Sequence, residues 1–388
     1  MIETTGKMHK TQKVSYLQII YIIVICRIIT AYAALPEVNT PPANQDVWVI
    51  SILSIIYIFI ISAPLLFLTN RFSNMTPVQY SKKIMGKFLG IFPGMVFTTF
   101  MFFISLLHLA QFIVFLDGVL LQETPTYVIM IFMIAICSYT AYMGIECIAR
   151  VSEIFVPIVL FAIILFMILS INNMDFNAFL PILYESDFLQ INFGAFSIAS
   201  RFSDLIIFCM LVPYCNKIGD CNLTKGNSKG IFTGINKVFL IIVIACTVLF
   251  LLIIISTQSV LGIEISKQEN YPFYKLVGQI SLFEFIERIE SLYIIIWGIG
   301  AFIKFSVFLY FTSVGIQQVL SVKSNKIFII PIGVILFMII LLTNIKSIEV
   351  TRQIFSYKFI PNIIFAIIFG IPLILLIVYI FRKKSNAY

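Results

Sequence analysis

The chain has 388 residues, of which 60% are hydrophobic and 11% are charged, and its mean hydropathy is +1.04. A water-soluble fold of this size cannot bury so much apolar surface, and the long runs of Ile, Leu, Val and Phe exclude disorder. The apolar blocks do not alternate in short units, which excludes an outer-membrane barrel and leaves an all-α integral membrane protein.

Ten blocks are apolar enough to cross a hydrocarbon core about 30 Å thick, which requires roughly 20 helical residues. In chain order they cover about 14–35, 47–68, 91–116, 126–143, 152–171, 191–213, 231–256, 286–312, 327–343 and 362–381. No cleavable signal peptide is expected, because the first block follows a Lys-containing segment and runs the full length of a span. These blocks predict one transmembrane domain over residues 1–388.

Lysine and arginine are distributed unevenly among the loops. Sixteen of them fall in the two termini and in alternate loops, whereas the other loops hold five. Positive residues near helix ends are retained on the cytoplasmic side, so both termini are expected to be cytoplasmic. The net charge of +8 therefore reflects membrane topology, and the expected surroundings are a lipid bilayer rather than a nucleic acid.

The number of spans predicts an internal repeat. Two sets of five, at about 14–171 and about 191–381, cross the membrane in opposite senses because five is odd. In transporters of this kind the first helix of each half is interrupted near the midplane, where free backbone groups hold a small polar ligand. In the first span, Thr30 and a run of small residues precede Pro36, and the outer half of the sixth span holds one glycine and three serines, Gly194, Ser197, Ser200 and Ser203. Small and hydroxyl residues also allow close helix packing, and both interpretations remain open.

Ionisable side chains inside spans cost at least about 2.5 kcal/mol and are usually paired, exposed to a cavity or functional. Arg27, near the middle of the first span, suits either a ligand carboxylate or a partner acid. Arg201 and Asp204 are three residues apart in the sixth span and can pair locally, or Asp204 can pair with Arg27. His108 suits proton coupling or hydrogen-bonded packing. Lys304 suits the place of a coupling ion, or has a stem long enough to reach the inner interface.

The sequence contains no nucleophile elbow, phosphate-binding glycine loop or group of metal ligands. Cys215 and Cys221 share a loop, but their spacing and the lack of further ligands argue against zinc. We therefore expect neither an enzyme nor a cofactor nor a metal site.

Seven ordered segments, within about residues 14–320, resemble the B subunit of nutrient germinant receptors, the spore germination permease family. They read NQDVW, TPVQYSKKIMGKFLG, LLQETPTYVI, MGIECIARVSEIFVPI, MDFNAFLPIL, MLVPYCNK and YPFYKLVGQISLFEFIERIESLYIIIWGIGAFIKFSVFLY. The resemblance implies the amino acid, polyamine and organocation transporter superfamily, with its five-plus-five, LeuT-like inverted-repeat fold. It also implies a subunit that senses a small nutrient, typically an amino acid, in the spore inner membrane beside an A subunit and a lipoprotein C subunit.

The chain departs from the family pattern at two places. Ile29, Thr30 and Ala31 stand where relatives tend to carry a glycine-rich turn before the Leu-Pro of the first span. In the sixth span, residues 201–204 replace a Pro-Phe-Gly-Glu-like stretch, and Asp204 keeps its acidic character.

These observations lead to the hypothesis of a non-enzymatic receptor subunit that binds its nutrient between the first, third, sixth and eighth spans. The expected contacts are Thr30, Ala31, Ala33, Ser197 and Ser200. The alternative is an amino-acid permease driven by H⁺ or Na⁺, in which His108, Asp204 or Lys304 carries the coupling. A third interpretation is a scaffold for the receptor complex with no ligand of its own.

Overall fold

The computed structural model describes residues 13–34, 39–121, 123–216, 234–280, 289–343, 350 and 360–385, with backbone alone for 30–34, 360 and 383–385. Within these ranges the protein is helical, and an isolated parallel bridge between Val14 and Cys215 is the sole β pairing. This confirms the all-α class predicted from composition.

The helices are numbered in chain order. They are α1 Tyr16–Ala34, α2 Val47–Arg71, α3 Pro77–Met85, α4 Ile91–Val119, α5 Thr126–Met143, α6 Ile145–Ser170, α7 Phe188–Ser200, α8 Leu205–Leu211, α9 Gly234–Leu261, α10 Ile263–Gln268, α11 Pro272–Gly278, α12 Ile289–Leu320 and α13 Lys326–Leu342. The C-terminal segment comprises Ile360–Phe365, a π-helical turn at Ala366–Gly370, and Ile371–Ser385.

Eight helical segments in the described part of the chain are long and apolar enough to cross a membrane. They are Val47–Arg71, Ile91–Val119, Thr126–Met143, Ile145–Asn173, Phe188–Tyr214, Gly234–Leu261, Ile289–Leu320 and Pro361–Arg382. Each coincides with one of the predicted spans. The predicted first and ninth spans coincide with shorter apolar helices, Tyr16–Ile29 and Lys326–Leu342. The protein is therefore a multi-pass membrane protein with eight clear spanning segments.

Glycine and a capping residue set two of the helix boundaries. Gly144 ends α5 and begins α6 with φ of +103°, a conformation that side chains disfavour, so one residue turns the chain from one span into the next. Thr76 caps α3 by accepting from the backbone N–H of Gln79, while the Gln79 side chain accepts from the backbone of Thr76.

The sixth span is interrupted and the first is not. Helix α7 ends at Ser200, residues 201–204 form turns, and α8 begins at Leu205. Helix α1 is continuous from Tyr16 to Ala34, so the interruption expected near Arg27 is wrong over this range. The segment 29–34 contains neither Gly nor Pro and is rich in alanine, so nothing in it opposes helical hydrogen bonds. Residues 35–38, which include Pro36, lie outside the described residues.

Helix α1 lies at the centre of the bundle. It packs against α6, α9, α11 and α12, and α12 packs along α4. At one end of α1, the N–H of Val14 donates to the carbonyl of Tyr214 at 2.9 Å, and the N–H of Asn216 donates to the carbonyl of Val14 at 2.8 Å. We call this pair of bonds the backbone latch; it ties the start of the first span to the end of the sixth.

At the opposite end, α11 fills the space between α1, α9 and α12. Phe273 and Leu276 are fully buried there, and the hydroxyl of Tyr274 donates to Oε2 of Glu290 at 3.0 Å. Helices α3, α10 and α11 are too short to span a bilayer, and hydropathy did not predict them.

Candidate functional site

The interruption between α7 and α8 places buried polar groups in the middle of the protein. Ser197 and Ser200 lie in the last turns of α7, and each is 1% exposed. Neither hydroxyl oxygen has a hydrogen-bond partner among the residues that the structure describes. Leaving a buried polar group unsatisfied costs about 1–3 kcal/mol, which makes these hydroxyls suitable contacts for a polar ligand.

Lys304 on α12 joins the interruption to α1. Its Nζ donates to the backbone carbonyl of Cys26 at 2.5 Å and lies 3.5 Å from Oδ1 of Asp204. Both charged side chains are buried, at 1% and 2% exposure. The stem of Lys304 therefore does not run to the membrane interface, and its charge is held between the first, sixth and eighth spans.

Arg201 and Asp204, which sequence spacing placed together, contact different elements. The guanidinium of Arg201 donates to Oγ1 of Thr40 at 2.8 Å, whereas Asp204 pairs with Lys304. The i, i+3 rule applies to a continuous helix. Here residues 201–204 leave the helix, so the two side chains diverge.

Arg27 lies near two aromatic rings, that of Phe202 in the interruption of the sixth span and that of Phe250 on α9. Its Cζ is 5.8 Å from the ring centroid of Phe202 and 5.4 Å from that of Phe250, within the range of cation–π attraction. The side chain also borders a cavity between α1, α2, α7 and α9. Neither Ser197 nor Ser200 lines that cavity, so the two features are distinct.

His108 lies on α4, facing α12. Its ring is 5.8 Å from that of Phe308, and the same Phe308 ring is 6.0 Å from Nζ of Lys304. Nε2 of His108 is buried and has no hydrogen-bond partner in the described ranges, and the same is true of the indole N–H of Trp297. Among the residues that the structure describes, the unpartnered Nε2 of His108 is therefore separated from Nζ of Lys304 by one aromatic ring.

The spore germination protein family matches residues 13–348 of the chain. The chain belongs to this family. It is 23% identical over 379 residues to spore germination protein YndE of Bacillus subtilis (strain 168), covering 97% of this chain and 99% of that protein. It is 22% identical over 321 residues to spore germination protein KB of the same organism, covering 81% of each, and 23% identical over 357 residues to its spore germination protein A2, covering 91% and 92%.

In this member of the family, the residues expected to form the site are partly brought together. Arg27, Asp204 and Lys304 come from three separate spans and meet at the centre of the bundle. Ser197 and Ser200 lie one turn before the interruption. The side chains of Thr30, Ala31 and Ala33 lie outside the described residues, although their backbone continues α1.

Sequence reasoning missed several contacts in this member of the family. Lys304 contacts the backbone carbonyl of Cys26, and no side-chain pattern in the sequence indicates a backbone contact. Arg201 contacts Thr40, which lies in a loop outside the predicted spans. Ser51 and Ser54 on α2 line the cavity beside Arg27. These two could have been detected from the sequence, because hydroxyls three residues apart in an otherwise apolar span mark one helix face.

Proposed function

We propose that this protein is the permease-like membrane subunit of a spore germinant receptor, and that it binds a small nutrient, most simply an amino acid, without catalysing a reaction. The observation that carries the proposal is the family match over residues 13–348 combined with an interrupted sixth span. Beside the interruption lie two buried hydroxyls that have no hydrogen-bond partner among the described residues. Such an interruption exposes backbone polar groups in the bilayer interior, where a transporter-like fold holds its ligand.

The proposed nutrient site lies between α1, α4, the α7–α8 interruption and α12. Ser197 and Ser200 supply hydroxyls, and Thr30, Ala31 and Ala33 are the proposed contacts from α1. The last carbonyls of α7 carry partial negative charge, which favours the ammonium group of an amino acid. Small residues on α1 leave room for the rest of the ligand.

The proposed architecture is a five-plus-five inverted repeat. Adding α1 and α13 to the eight clear spanning segments gives ten, and the charge distribution puts both termini in the cytoplasm. In this arrangement α1 and α7–α8 occupy corresponding places in the two halves. The protein would lie in the spore inner membrane and act with an A and a C subunit.

The Asp204–Lys304 pair offers a route from ligand binding to a change of state. Asp204 lies at the end of the interruption, four residues after Ser200, and Lys304 connects it to the backbone of α1. A nutrient that binds one helix arrangement more tightly shifts the population toward it by that difference in affinity. The shift would be passed to the partner subunits and would end in release of ions and dipicolinate.

Dipicolinate release from spores tests the proposal. Spores of a strain lacking the gene are challenged with a panel of amino acids and sugars and compared with the parent and a complemented strain. We expect selective loss of the response to one nutrient, restored on complementation. An unchanged response to every nutrient, in a strain with no second receptor of this family, would contradict it.

Substitutions in the complementing gene test the site. Removing one hydrogen bond to the ligand in Ser197→Ala or Ser200→Ala should raise the half-maximal nutrient concentration about 2–10-fold. Ser152→Ala is the matched control, because Ser152 is buried on α6 and already donates to the carbonyl of Ile148. A dose response that is equal in all three variants would refute the proposed site.

An ion-coupled amino-acid permease is the second candidate, favoured by one observation. Asp204 and Lys304 form a buried ionisable pair at the interruption, where protonation or ion binding could be linked to the helix arrangement. Liposomes containing the purified protein distinguish the candidates. Accumulation of an amino acid driven by a proton or sodium gradient, and lost in Asp204→Asn, supports the permease; binding without accumulation supports the receptor subunit.

A further inference from the structure

Five cations lie close together where α2 and the C-terminal segment end and α4 begins. Arg71 is the last residue of α2, and Arg382 is the last residue of the spanning segment Pro361–Arg382. Lys82 and Lys83 lie in the last turn of α3, and Lys87 follows in the turn that leads to α4. We call these five residues the basic rim. Because they lie at the ends of spans, they lie at the depth of lipid headgroups.

Arg382 connects the C-terminal helix to the end of α3. Its Nη1 donates to the carbonyl of Ile84 at 2.6 Å. Its Nη2 is 4.0 Å from the position that a Cβ would take at Gly86, the residue before Lys87. A guanidinium carries five N–H donors, so one bond to a carbonyl leaves others for a ligand.

The end of α2 joins the same surface. Nε of Arg71 donates to the hydroxyl of Tyr379 at 2.9 Å, and the ring of Tyr379 is 5.6 Å from that of Phe72. Nζ of Lys83 lies 5.5 Å from the same Phe72 ring. The basic rim is therefore one surface, built by α2, α3 and the C-terminal helix.

No carboxylate balances the charge of the elements that build the rim. Asp and Glu are absent from residues 47–116, 291–348 and 350–388, which contain these elements and the ends of α4 and α12 that pack against α3. Burial and the neighbouring Lys87 lower the pKa of Lys82, so the positive charges repel one another. A bound anion would relieve this repulsion.

Exposed apolar side chains stand directly beside the cations. Phe88 and Leu89 follow Lys87 in the chain and are 88% and 62% exposed, and Phe92, in the first turn of α4, is 71% exposed. At the end of a span, such side chains reach the acyl chains while neighbouring cations stay in the headgroup layer. The surface therefore suits a ligand that is anionic at one end and apolar at the other.

We propose that the basic rim binds an anionic phospholipid, with Lys83, Lys87 and Arg382 on the phosphate and Phe88 and Phe92 against the acyl chains. Ammonium and guanidinium groups both bind phosphate oxygens, and clusters of four or more cations next to a span attract anionic lipids. A free phosphate or an acidic protein surface would match the charges but would leave the aromatic side chains unused. The lipid would hold α2, α3 and the C-terminal helix together. The proposal depends neither on the nutrient nor on the orientation of the chain in the membrane.

Thermal unfolding of the purified full-length protein in a neutral detergent tests the site. Dioleoylphosphatidylglycerol is titrated into the micelles, with dioleoylphosphatidylcholine and inorganic phosphate as parallel series. We expect phosphatidylglycerol alone to raise the midpoint temperature, with a saturable dependence. The attraction of one cation to anionic lipid predicts about a fivefold rise in the half-saturating phosphatidylglycerol fraction for Lys83→Gln and for Lys87→Gln. Both side chains are exposed, so both variants should fold.

Lys326→Gln is the matched control. Lys326 begins α13, shortly after the end of α12 that Lys82 contacts, but its Nζ lies 4.3 Å from the ring of Tyr142 on α5. This variant loses one cation at the same end of the bundle and should stay within twofold of the parent half-saturating fraction.

Three results would overturn the proposal. Equal responses to phosphatidylglycerol and phosphatidylcholine would leave the charges to an acidic protein surface. Equal half-saturation in the parent, Lys83→Gln and Lys87→Gln would show that the lipid binds elsewhere. Protection by inorganic phosphate equal to that by phosphatidylglycerol would assign the rim to a free anion.

Discussion

The buried pair of Asp204 and Lys304 gives the strongest prediction for stability. At 3.5 Å and an effective dielectric constant near 20, two unit charges attract by about 5 kcal/mol, which offsets part of the cost of removing both from water. Replacing one partner leaves the other as a buried, uncompensated charge, and such changes typically cost about 3–5 kcal/mol. Asp204→Asn and Lys304→Met should each lower the midpoint of thermal unfolding by about 4–6 °C.

The double variant separates the pair from its surroundings. Asp204→Asn with Lys304→Met removes both charges, so its loss should be smaller than the sum of the two single losses, with about 2 kcal/mol or more of coupling. Lys304→Met also loses the bond to the carbonyl of Cys26, so recovery should be incomplete. Unfolding of the full-length protein in detergent, followed through labelling of its buried cysteines by a thiol-reactive dye, provides the measurement.

An exposed pair provides the control for that cycle. Nζ of Lys267 is 2.6 Å from Oε1 of Glu264, a shorter distance than in the buried pair, but the side chains are 28% and 76% exposed. Exposed pairs contribute about 0–1 kcal/mol because water screens them. The Glu264→Gln and Lys267→Met cycle should therefore show little coupling. Two results would refute the reasoning. One is that the losses at Asp204 and Lys304 are additive, and the other is that the single variants unfold within about 1 °C of the parent.

Two further predictions concern packing and titration. A methyl group at Gly194 would clash with the carbonyl oxygen of Pro41, so Gly194→Ala should lower the free energy of unfolding by about 1–3 kcal/mol. A methyl group at Gly298 would meet nothing within 4 Å. Gly298→Ala should therefore leave the stability unchanged or raise it in the same unfolding assay. Burial and the neighbouring Glu290 raise the pKa of Tyr274 to about 12, so the neutral phenol stabilises the fold below pH 10 and this contribution is lost as pH rises through about 12. Ultraviolet titration of parent and Glu290→Gln should show the Tyr274 pKa moving toward its ordinary value; equal titration curves would contradict this.

The spans were predictable because their length is a local property. The hydrocarbon thickness of a bilayer fixes how many apolar residues a helix needs, and a run of that length can be read directly from the chain. Hydropathy predicts 126–143 and the helix is Thr126–Met143. Hydropathy predicts a span over 91–116, and the helix is Ile91–Val119. It is three residues longer because helical hydrogen bonds continue through Asp117 and Gly118, which are not apolar.

Interruptions were expected in the first and sixth spans, and only the expectation for the sixth is confirmed among the described residues. Four consecutive residues, 201–204, depart from helix in the sixth span, and they include Ser203 and Asp204, residue types that favour turns over helix interiors. In the first span, the same expectation came from the predicted inverted repeat and from Thr30 and the small residues that precede Pro36. Ile29, Thr30 and Ala31 are compatible with a helix, and α1 continues through them.

The partners of the buried charges were not predictable. Asp204 and Lys304 are 100 residues apart in sequence, and their meeting depends on how α12 is rotated about its axis. Helices α1, α4 and α12 are apolar on every side, so hydrophobic pattern does not indicate which face is turned inward. Interspan hydrogen bonds and packing decide that rotation, and neither is visible in a single span.

The backbone latch has a consequence for how freely this protein can vary. Its two hydrogen bonds use only main-chain groups of Val14, Tyr214 and Asn216, so no side-chain replacement removes a donor or acceptor except proline. Sequences can diverge widely at these three positions while the first and sixth spans stay fastened at that end. Substitutions at the interruption in the sixth span can then accumulate without breaking the hydrogen bonds that join the first span to the sixth.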